Sequence, residues 1–376
     1  MPDKPGALRE HVVCVRCAAV LDVTSATPHC KRCHQPYGVV GRIPILLPRV
    51  EDHLNLWRGQ LATLEAQAEK TQLAIDSELE TPGLLPAGIE RLRALGQALR
   101  DQVRDLTELV GPALGSTTVH HEDASLPRGI VEYIQLLYRD WGWESAGNRE
   151  NERALSAIQK LCGPAPLGRL LVIGAGACRL AYDLHRQCGA SETAVIDVDP
   201  FLFLIAEAVI RGQSVRLTEA TANVQELSQV AKQWQLRAPA GGLDANVFHF
   251  FLANGLAPPF ADGTFDSVVT PWFIDHVPRD LPAFLSVLRR QLRTGGRWFN
   301  SGPLIYPADT PLAKRYSREE LFDLVERAGF HIEHWASETS AHLQSPLSGR
   351  ATIEWSLTFE ASAVGELTST PTLRSH

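Results

Sequence analysis

Residues 169–180 read Arg-Leu-Leu-Val-Ile-Gly-Ala-Gly-Ala-Cys-Arg-Leu, and this stretch decides the fold. The unbroken apolar run over 170–173 is typical of a strand that is buried on both faces, and the pattern of 180–187 is typical of a helix. Gly174 and Gly176 permit a tight turn and a close approach of the backbone to a ligand. This order of elements predicts a site for a nucleotide-like ligand, although a GxG turn alone is weak evidence.

A second buried strand strengthens this interpretation. Residues 193–200 read Thr-Ala-Val-Ile-Asp-Val-Asp-Pro, which places Asp197 about 20 residues after the glycines, where an acid that binds ribose hydroxyls belongs. Arg179 stands where a dinucleotide fingerprint has its third glycine, so a pyrophosphate fits poorly, whereas the smaller S-adenosylmethionine fits. The alternative is an ordinary strand, turn and helix without a ligand.

Length and charge limit the classes of function. The chain has 376 residues, of which 44% are hydrophobic, and this is enough for two domains and a connector. A net charge of −7 and a pI near 6.0 argue against bulk nucleic-acid binding. No apolar run reaches the roughly 20 residues of a membrane span, and the N-terminus lacks the apolar region of a signal peptide. These features predict a soluble cytoplasmic protein with no membrane partner.

Four of the seven cysteines form two CxxC pairs near the N-terminus. They are Cys14, Cys17, Cys30 and Cys33. This spacing allows four thiolates to surround one zinc ion, and a metal explains how so short a segment folds without a core of its own. Because protein ligands fill all four positions, the predicted zinc is structural. The alternatives are unligated thiols, or a ligand set in which His29 or His34 replaces a cysteine.

Residues 51–113 show leucines at helical spacing and no strand signals. They predict two helices, separated by the Pro- and Gly-containing segment 81–86, with Gly111–Pro112 ending the second. The leucines are interpreted as a packing stripe. A loop follows, and its His120 and His121 are not assigned to a metal.

A third predicted helix, residues 129–141, ends in the aromatic-rich sequence Arg139-Asp-Trp-Gly-Trp143. These tryptophans either cap a pocket or seal the edge of the sheet. Further along, residues 253–266 precede an apolar strand. In this pattern Asn254 is placed to reach an adenine edge and Phe260 to pack beside the ring. Thr270, in the strand, is assigned to the same cofactor-binding set.

Strands and helices alternate through the rest of the chain, which predicts a mostly parallel sheet with helices on both faces. The run 351–361 alternates like an antiparallel last strand. With these elements in place, the sequence resembles class I S-adenosylmethionine-dependent methyltransferases, and within them the carnosine N-methyltransferase-like group. The segments that carry the resemblance are Arg139-Asp-Trp141, Gly174-Ala-Gly176 with Arg179-Leu180, Phe273-Ile-Asp-His276 and Asn300-Ser-Gly-Pro-Leu-Ile-Tyr306.

The resemblance implies an α/β fold with a Rossmann-like sheet, here preceded by a small zinc ribbon that is similar to Trm112-like modules. It also implies roles for the cofactor-binding set. Arg139 reaches toward the carboxylate of the cofactor, Gly174 and Gly176 approach its methionine part, and Asp197 binds the ribose. Arg179, from the same motif, completes this set.

Three residues form the predicted catalytic set. Asp275 follows an apolar strand, where a carboxylate can orient a protonated amine or accept a proton from a nucleophilic nitrogen. The alternative is that Asp275 caps the helix near Pro278. His276 is its candidate assistant as base or substrate contact. Tyr306 is either part of the site or a packed core tyrosine.

The chain also departs from the family pattern. The carnosine enzymes have Thr where this chain has His276, and His where it has Pro307. Near the final strand they have consecutive tyrosines, whereas residues 352–355 here are Thr-Ile-Glu-Trp. These departures argue against carnosine itself as the substrate.

The sequence thus predicts a methyltransferase, and within that class an N-methyltransferase, acting on a small amino-acid-derived, peptide-like or natural-product substrate. The predicted divisions are a zinc ribbon over 1–50, a helical connector over 51–125, a methyltransferase domain over 126–362 and a disordered tail over 363–376. The alternative function is a docking module, in which the ribbon and the helical arm recruit a macromolecular partner for methylation or act as a scaffold. A homo-oligomer or a protein partner through these parts is a further expectation.

Overall fold

The computed structural model describes residues 7–115, 130–277 and 279–364. His120, His121, Pro278 and residues 365–376 of the predicted tail lie outside the described residues. The N-terminal segment contains the two CxxC turns and a short antiparallel pair, β1 (Gly38–Val40) and β2 (Ile43–Ile45). Within the described ranges, no helix combines the length and apolar character that a bilayer crossing requires.

Two long helices follow, α1 (Val50–Leu79) and α2 (Pro86–Leu114), and they pack against each other. The predicted helical pair is therefore present, and several of the striped leucines, including Leu61, Leu64 and Leu92, are buried. The predicted end of the second helix was wrong, because α2 continues through Pro112 to Leu114. A proline removes only one backbone N–H, and α2 ends within one turn of it, so little helical hydrogen bonding is lost.

The remaining elements form an α/β core. Its helices are α3 (Ile130–Trp141), α4 (Glu144–Cys162), α5 (Arg179–Gln187), α6 (Pro200–Ile210), α7 (Leu281–Gln291) and α8 (Arg318–Arg327). Its strands are β3 (Gly168–Ile173), β4 (Ala190–Asp197), β5 (Val215–Ala220), β6 (Ala231–Leu236), β7 (Phe248–Leu252), β8 (Phe265–Pro271), β9 (Leu292–Gly302), β10 (Phe330–His342) and β11 (Thr352–Ala363).

Nine strands form one sheet in the order β1-β2-β7-β4-β3-β8-β9-β11-β10. Neighbours from β2 to β9 run parallel, whereas β11 lies antiparallel between β9 and β10. The predicted parallel sheet with an antiparallel last strand is thereby confirmed. The strand order reverses at β3, which has β4 on one side and β8 on the other, and ligands bind beyond the carboxyl ends of strands at such a point.

The residues of β3 show why helices cover both faces of the sheet. Leu170 and Val172 belong to the apolar cluster formed with α3 to α6. Leu171 and Ile173, which alternate with them, belong to the cluster formed with α7 and α8. A strand buried on both faces is apolar throughout, as this stretch is.

Two additions modify the core. β5 and β6 form a separate antiparallel hairpin between α6 and β7. β2 joins the edge of the sheet through parallel pairing of Ile45 with Leu252 of β7. The N-terminal segment thus extends the sheet of its own chain.

Candidate active site

A cavity of about 570 Å³ opens at the carboxyl ends of β3, β4, β8 and β9. The helices α3 and α4 and the β10–β11 hairpin complete its walls. Six of the predicted site residues line it, namely Arg139, Gly174, Gly176, Asp197, Asp275 and His276. The cavity is large enough to bind a small-molecule cofactor together with part of a substrate.

The glycine turn forms the floor of one end of the cavity. Gly174 has a φ of +71°, and a Cβ there would lie 2.6 Å from Cδ2 of Phe273, so only glycine fits. The backbone N–H groups of Gly174 and Ala175 donate to the carbonyl oxygen of Ile196, which ties the turn to β4. This leaves the turn closely packed below the cavity.

The Arg139-Asp-Trp141 segment holds the turn from above. Trp141 Nε1 donates to the carbonyl oxygen of Ala177 at 2.8 Å, and Asp140 accepts from the backbone N–H of Arg179 at 3.3 Å. Arg139 Nε donates to Asp140 at 2.7 Å while its side chain lines the cavity. Trp141 thus holds the glycine turn in place, and it is not among the described residues that line the cavity.

Asp197 lies at the end of β4, beside the turn. Its Oδ2 accepts from the N–H of Gly176 at 2.9 Å, and its Oδ1 accepts from the N–H groups of Val198 and Asp199 at 2.7 and 3.1 Å. Burial raises the pKa of Asp197, and these three hydrogen bonds oppose the rise. The carboxylate is fixed in orientation and retains lone pairs that can accept hydroxyl groups from a bound sugar.

The opposite end of the cavity begins after β8. Trp272 has a φ of +45°, which is rare for a residue with a side chain, and its N–H donates to the carbonyl oxygen of Ser301 at 2.8 Å. Such conformations persist where the surroundings impose them, and they occur often at functional sites. The chain then places Trp272, Phe273 and Asp275 on the cavity wall.

Asp275 is only 3% exposed, and its Oδ1 has no hydrogen-bond partner among the described residues. Burial raises the pKa of Asp275 to about 7, and the negative charge of Glu354 adds to the rise, against backbone hydrogen bonds that lower it. The residue that caps α7 is Asp280, so Asp275 does not serve as that cap. A buried acceptor atom of this kind is available to a ligand.

A cluster on the β10–β11 hairpin faces Asp275, and the sequence did not predict it. Glu354 Oε2 accepts from Trp272 Nε1 at 3.1 Å and lies 3.5 Å from Nδ1 of His342. His342 stacks on Trp272 with ring centroids 5.9 Å apart. Burial and the positive charge of Arg139 lower the pKa of His342 to about 4, so its contact with Glu354 is not an ion pair at neutral pH. The one feature of the sequence that could have indicated this cluster is the acidic Glu354 within a strand in which apolar and polar residues alternate.

Four predicted site residues do not line the cavity. Arg179 is buried in an ion pair with Asp183 at 2.8 Å. Asn254 is exposed, and its Oδ1 accepts from the N–H of Leu256. Thr270 is fully buried and bonds Asn300 within the sheet.

Tyr306 is the fourth of these residues. Its hydroxyl donates to the carbonyl oxygen of Tyr316 at 2.8 Å, and the two rings meet edge to face. Burial, followed by the charge of Asp275, raises the pKa of Tyr306. This environment matches the packed tyrosine that the sequence left open as the alternative.

The four N-terminal cysteines lie at a second candidate site. Their Sγ atoms are all within 4.8 Å of one another. The Cys14–Cys33 and Cys17–Cys30 sulfur atoms are 3.6 and 3.5 Å apart, close to the roughly 3.8 Å that tetrahedral zinc with 2.3 Å Zn–S bonds requires. His29 is exposed, and its Nδ1 lies 3.4 Å from the carbonyl oxygen of Thr27. The four sulfur atoms therefore lie close enough together to hold one metal ion.

Comparisons with known proteins give one family. The model of the family described as carnosine N-methyltransferase matches residues 117–348, more than half of the chain. No curated protein matches the sequence.

Three methyltransferase structures are among the solved structures that this chain matches. A Methanosarcina mazei S-adenosylmethionine-dependent methyltransferase is 15% identical with a TM-score of 0.40, and the match covers 56% of this chain and 97% of that one. NodS, an N-methyltransferase from Bradyrhizobium japonicum in complex with S-adenosyl-L-homocysteine, is 12% identical with a TM-score of 0.37 and coverage of 57% and 87%. A complex of the Haloferax volcanii Trm112 activator with a methyltransferase matches at 14% identity and a TM-score of 0.40, with coverage of 62% and 97%.

Proposed function

The chain belongs to the carnosine N-methyltransferase family, and on that premise we propose how its cavity performs methyl transfer. The activity of the protein is S-adenosylmethionine-dependent N-methylation of a small substrate. The observation that carries the proposal is one cavity with a fixed carboxylate, Asp197, beside the glycine turn at one end and a buried carboxyl group with an unsatisfied oxygen, Asp275, at the other.

We assign the cofactor end to the glycine turn, Asp197 and Arg139. Asp197 accepts the ribose hydroxyls, the backbone at Gly174 and Gly176 contacts the methionine part, and Arg139 binds the cofactor carboxylate. When bound, S-adenosylmethionine would supply an electrophilic methyl group on a sulfonium sulfur, so that a nitrogen lone pair could attack the methyl carbon and the sulfur would leave as the neutral thioether of S-adenosylhomocysteine. Because alignment is the main requirement of such a displacement, the chain contributes chiefly by holding both reactants in place.

We assign the acceptor end to Asp275. Its ionised form attracts an amine and directs the nitrogen lone pair toward the cofactor end, and its free Oδ1 can hold a proton that an ammonium substrate releases. Trp272 and Phe273 form the apolar wall that keeps water from the reacting atoms. His276 is exposed at the rim of the cavity, and we assign it to contact with the substrate.

We also propose that Cys14, Cys17, Cys30 and Cys33 bind one structural zinc ion. The sulfur separations support this ligand set. Such an ion has no open coordination position, so it supplies folding free energy and takes no part in the chemical step.

Calorimetric titration with S-adenosylmethionine tests the cofactor end. The wild type is expected to bind, and Asp197→Ala to weaken binding by about tenfold or more, since at least one charge-assisted hydrogen bond is lost. Asp262→Ala is the matched control, because Asp262 lies on an exposed loop outside the cavity and only meets Arg290 at 3.9 Å. Absence of binding by the pure wild-type protein would overturn the cofactor assignment.

Mass analysis of products identifies the acceptor atom. The protein is incubated with methyl-labelled cofactor and a panel of small amines and imidazole-containing peptides. Label on nitrogen is the expected outcome, and label on carbon or oxygen alone would contradict the proposal.

A further inference from the structure

The acceptor end of the cavity is lined by carboxyl groups from several elements. Asp275 follows β8, Glu354 lies on β11, Glu338 on β10 and Glu150 on α4. Of these, Asp275 is nearly inaccessible and Glu354 is largely buried, with 12% of its side chain exposed. These four carboxyl groups come from four different elements and line one cavity.

Carboxyl groups outnumber positive groups on the wall of the cavity. Among the described lining residues there is no lysine, and the two arginines are Arg139 and Arg153. Arg139 is paired with Asp140 at 2.7 Å, and its charge also acts on Glu150 and Glu354, whereas Arg153 is exposed on α4. His342 is neutral at physiological pH because burial lowers its pKa to about 4.

Two of the carboxyl groups already have defined partners. Glu150 accepts from the backbone N–H groups of Leu343 and Gln344 at 3.0 and 2.8 Å, so it fastens the β10–β11 loop. Glu338 meets Lys160 at 3.6 Å on the solvent side, where both side chains are more than half exposed. Asp275 and Glu354 are the pair left to face a ligand.

Glu354 is held in a fixed position by two partners that are neutral at neutral pH. Its contacts with Trp272 Nε1 and His342 Nδ1 both use Oε2. Burial raises the pKa of Glu354, and the charge of Glu150 adds to the rise, whereas the hydrogen bond from Trp272 and the charge of Arg139 oppose it. The charge of Glu354 in turn adds to the rise in the pKa of Asp275, so these neighbouring carboxyl groups make each other's ionisation harder. A cation between them relieves this repulsion, whereas an anion increases it.

We propose that the substrate is a small amine that carries a second basic nitrogen and no carboxylate, and that Glu354 is the specificity-determining residue that binds the second nitrogen as a cation. The inference rests on the proposed function, since it takes Asp275 as the group that orients the acceptor nitrogen. Trp272, held by Glu354, gives the cation an aromatic face in addition. The expected substrate class is decarboxylated amino-acid derivatives such as imidazole-alkylamines and diamines.

Matched pairs of small molecules test the inference on the wild-type protein. Each pair differs by one carboxylate: histamine and histidine, 1,4-diaminobutane and ornithine, β-alanylhistamine and carnosine. Binding is measured by calorimetry with the protein saturated with S-adenosylhomocysteine. In at least one pair the amine is expected to bind about tenfold or more tightly than its carboxylated partner, which corresponds to about 1.4 kcal/mol.

The variant Glu354→Gln tests the residue. It is expected to weaken binding of the preferred amine by about tenfold or more and to reduce the preference over its carboxylated partner to about twofold or less. Glu338→Gln is the matched control, because Glu338 lines the same cavity but is already paired with Lys160. It should change both affinities by less than about threefold.

The outcomes separate this inference from the function on which it rests. Equal or tighter binding of the carboxylated partners, or an unchanged preference in Glu354→Gln with S-adenosylhomocysteine affinity retained, overturns the inference. Failure of all three amines to bind while S-adenosylhomocysteine binds overturns it as well, and leaves methyl transfer unaffected. If S-adenosylhomocysteine itself does not bind, the cofactor assignment fails instead. Because the pair comparison uses the wild type, it holds even if Glu354→Gln does not fold.

Discussion

Asp275 is a carboxyl group that the folded chain buries without satisfying one of its oxygens. A buried polar atom of this kind costs about 1–3 kcal/mol, and proteins retain such a cost where function requires it. The side chain lines the cavity at the end opposite to the glycine turn. The residue thus combines a stability cost with the position that an acceptor-orienting group needs.

The first prediction concerns activity. Asp275→Asn is expected to lower turnover by about 10²–10⁴-fold, because the amide keeps the shape but cannot attract an amine or hold its proton. Cofactor affinity should remain within about twofold of the wild type, since Asp197 and Arg139 are untouched. Transfer of labelled methyl groups and titration with S-adenosylhomocysteine measure the two effects. Unchanged turnover would remove Asp275 from the mechanism.

The second prediction concerns stability and pH. The folded-state pKa of Asp275 is raised from 3.8 to about 7, so between these values the folded state binds more protons than the unfolded state. The contribution of this group to stability therefore falls as pH rises through that window. Below about pH 4 the carboxyl group is protonated in both states and Asp275→Asn should match the wild type in stability, apart from small packing effects.

Above about pH 7 the wild type buries a charge that the variant lacks, and Asp275→Asn should be more stable by about 1–3 kcal/mol. Thermal denaturation of both proteins between pH 5 and pH 8 measures this difference as a growing gap in Tm. Asp262→Asn, at an exposed loop position, should show no such gap. A gap that is constant with pH would contradict a raised pKa at Asp275.

The position of a side chain could be predicted from the sequence where it follows from backbone order. Gly174 directly follows β3 and Asp197 is the last residue of β4, so both had to lie at the carboxyl edge of the sheet. Thr270 shows the limit, because it lies inside β8, where neighbouring side chains point to opposite faces, and its hydroxyl bonds Asn300 and Trp298 in the sheet. Glu354 was missed for the complementary reason, since its partners come from β8 and β10, distant in sequence.

At the level of elements, the β5–β6 hairpin supports the β10–β11 loop, part of which lines the cavity. Glu219 of β5 is 5% exposed and joins three parts of the molecule. Its Oε2 accepts from the indole N–H groups of Trp143 and Trp234 at 2.8 and 2.7 Å, and its Oε1 accepts from Ser345 at 2.6 Å. Ser345 lies in the β10–β11 loop, two residues after the cavity residue Leu343.

The third prediction follows from this network. Glu219→Ala leaves two buried indole N–H groups without their acceptor, so the free energy of unfolding should fall by about 2–4 kcal/mol. The β10–β11 loop loses the same anchor, and the affinity for the acceptor substrate should fall more than that for S-adenosylhomocysteine. Calorimetric unfolding and the two titrations measure these effects. The control is Gln233→Ala, at an exposed position on the paired strand β6. If Glu219→Ala had the same Tm as this control, the network would not have the stabilising role assigned to it.

Several elements had no counterpart in the sequence-based prediction. Helix α4 buries only five of its nineteen residues, including Gly147 and Asn151, so its apolar period is weak. Strand β7 is a five-residue apolar run, too short for periodicity to distinguish a strand from part of a helix. Its assignment depends on its pairing with β4 on one side and β2 on the other, and such long-range pairing is not visible in local sequence.

At the level of the whole molecule, the N-terminal segment and the sheet share one core. Leu8, Val12 and Leu46 pack in the same apolar cluster as Phe251 and Phe260. Phe260, expected from the sequence to lie beside an adenine ring, instead meets Phe251 edge to face at 5.4 Å in this cluster. The N-terminal segment thus covers a sheet edge that would otherwise expose apolar side chains and unpaired backbone groups.

Backbone hydrogen bonds connect the N-terminal segment to Asp197 at the cofactor end of the cavity. The N–H of Leu46 donates to Leu252 at 2.8 Å, and the next residue of that strand, Ala253, donates to the carbonyl oxygen of Asp197 at 2.9 Å. Loss of the metal should therefore loosen the ribbon first and the edge strand β7 next. No cysteine of the cluster lines the cavity among the described residues, so chemistry need not change while the fold persists.

The fourth prediction is that removal of zinc by a chelator, or Cys17→Ser, lowers Tm substantially, because binding free energy of a structural zinc is folding free energy. At a temperature where the protein is still folded, kcat at saturating cofactor should stay unchanged. Elemental analysis should give one zinc per chain in the wild type and in Cys188→Ser, whose half-buried thiol lies outside the cluster. If the protein stays folded after chelation but its kcat falls, the metal takes part in the chemical step, and the assignment of a purely structural zinc is wrong. A wild type without zinc would show that the thiols serve another purpose.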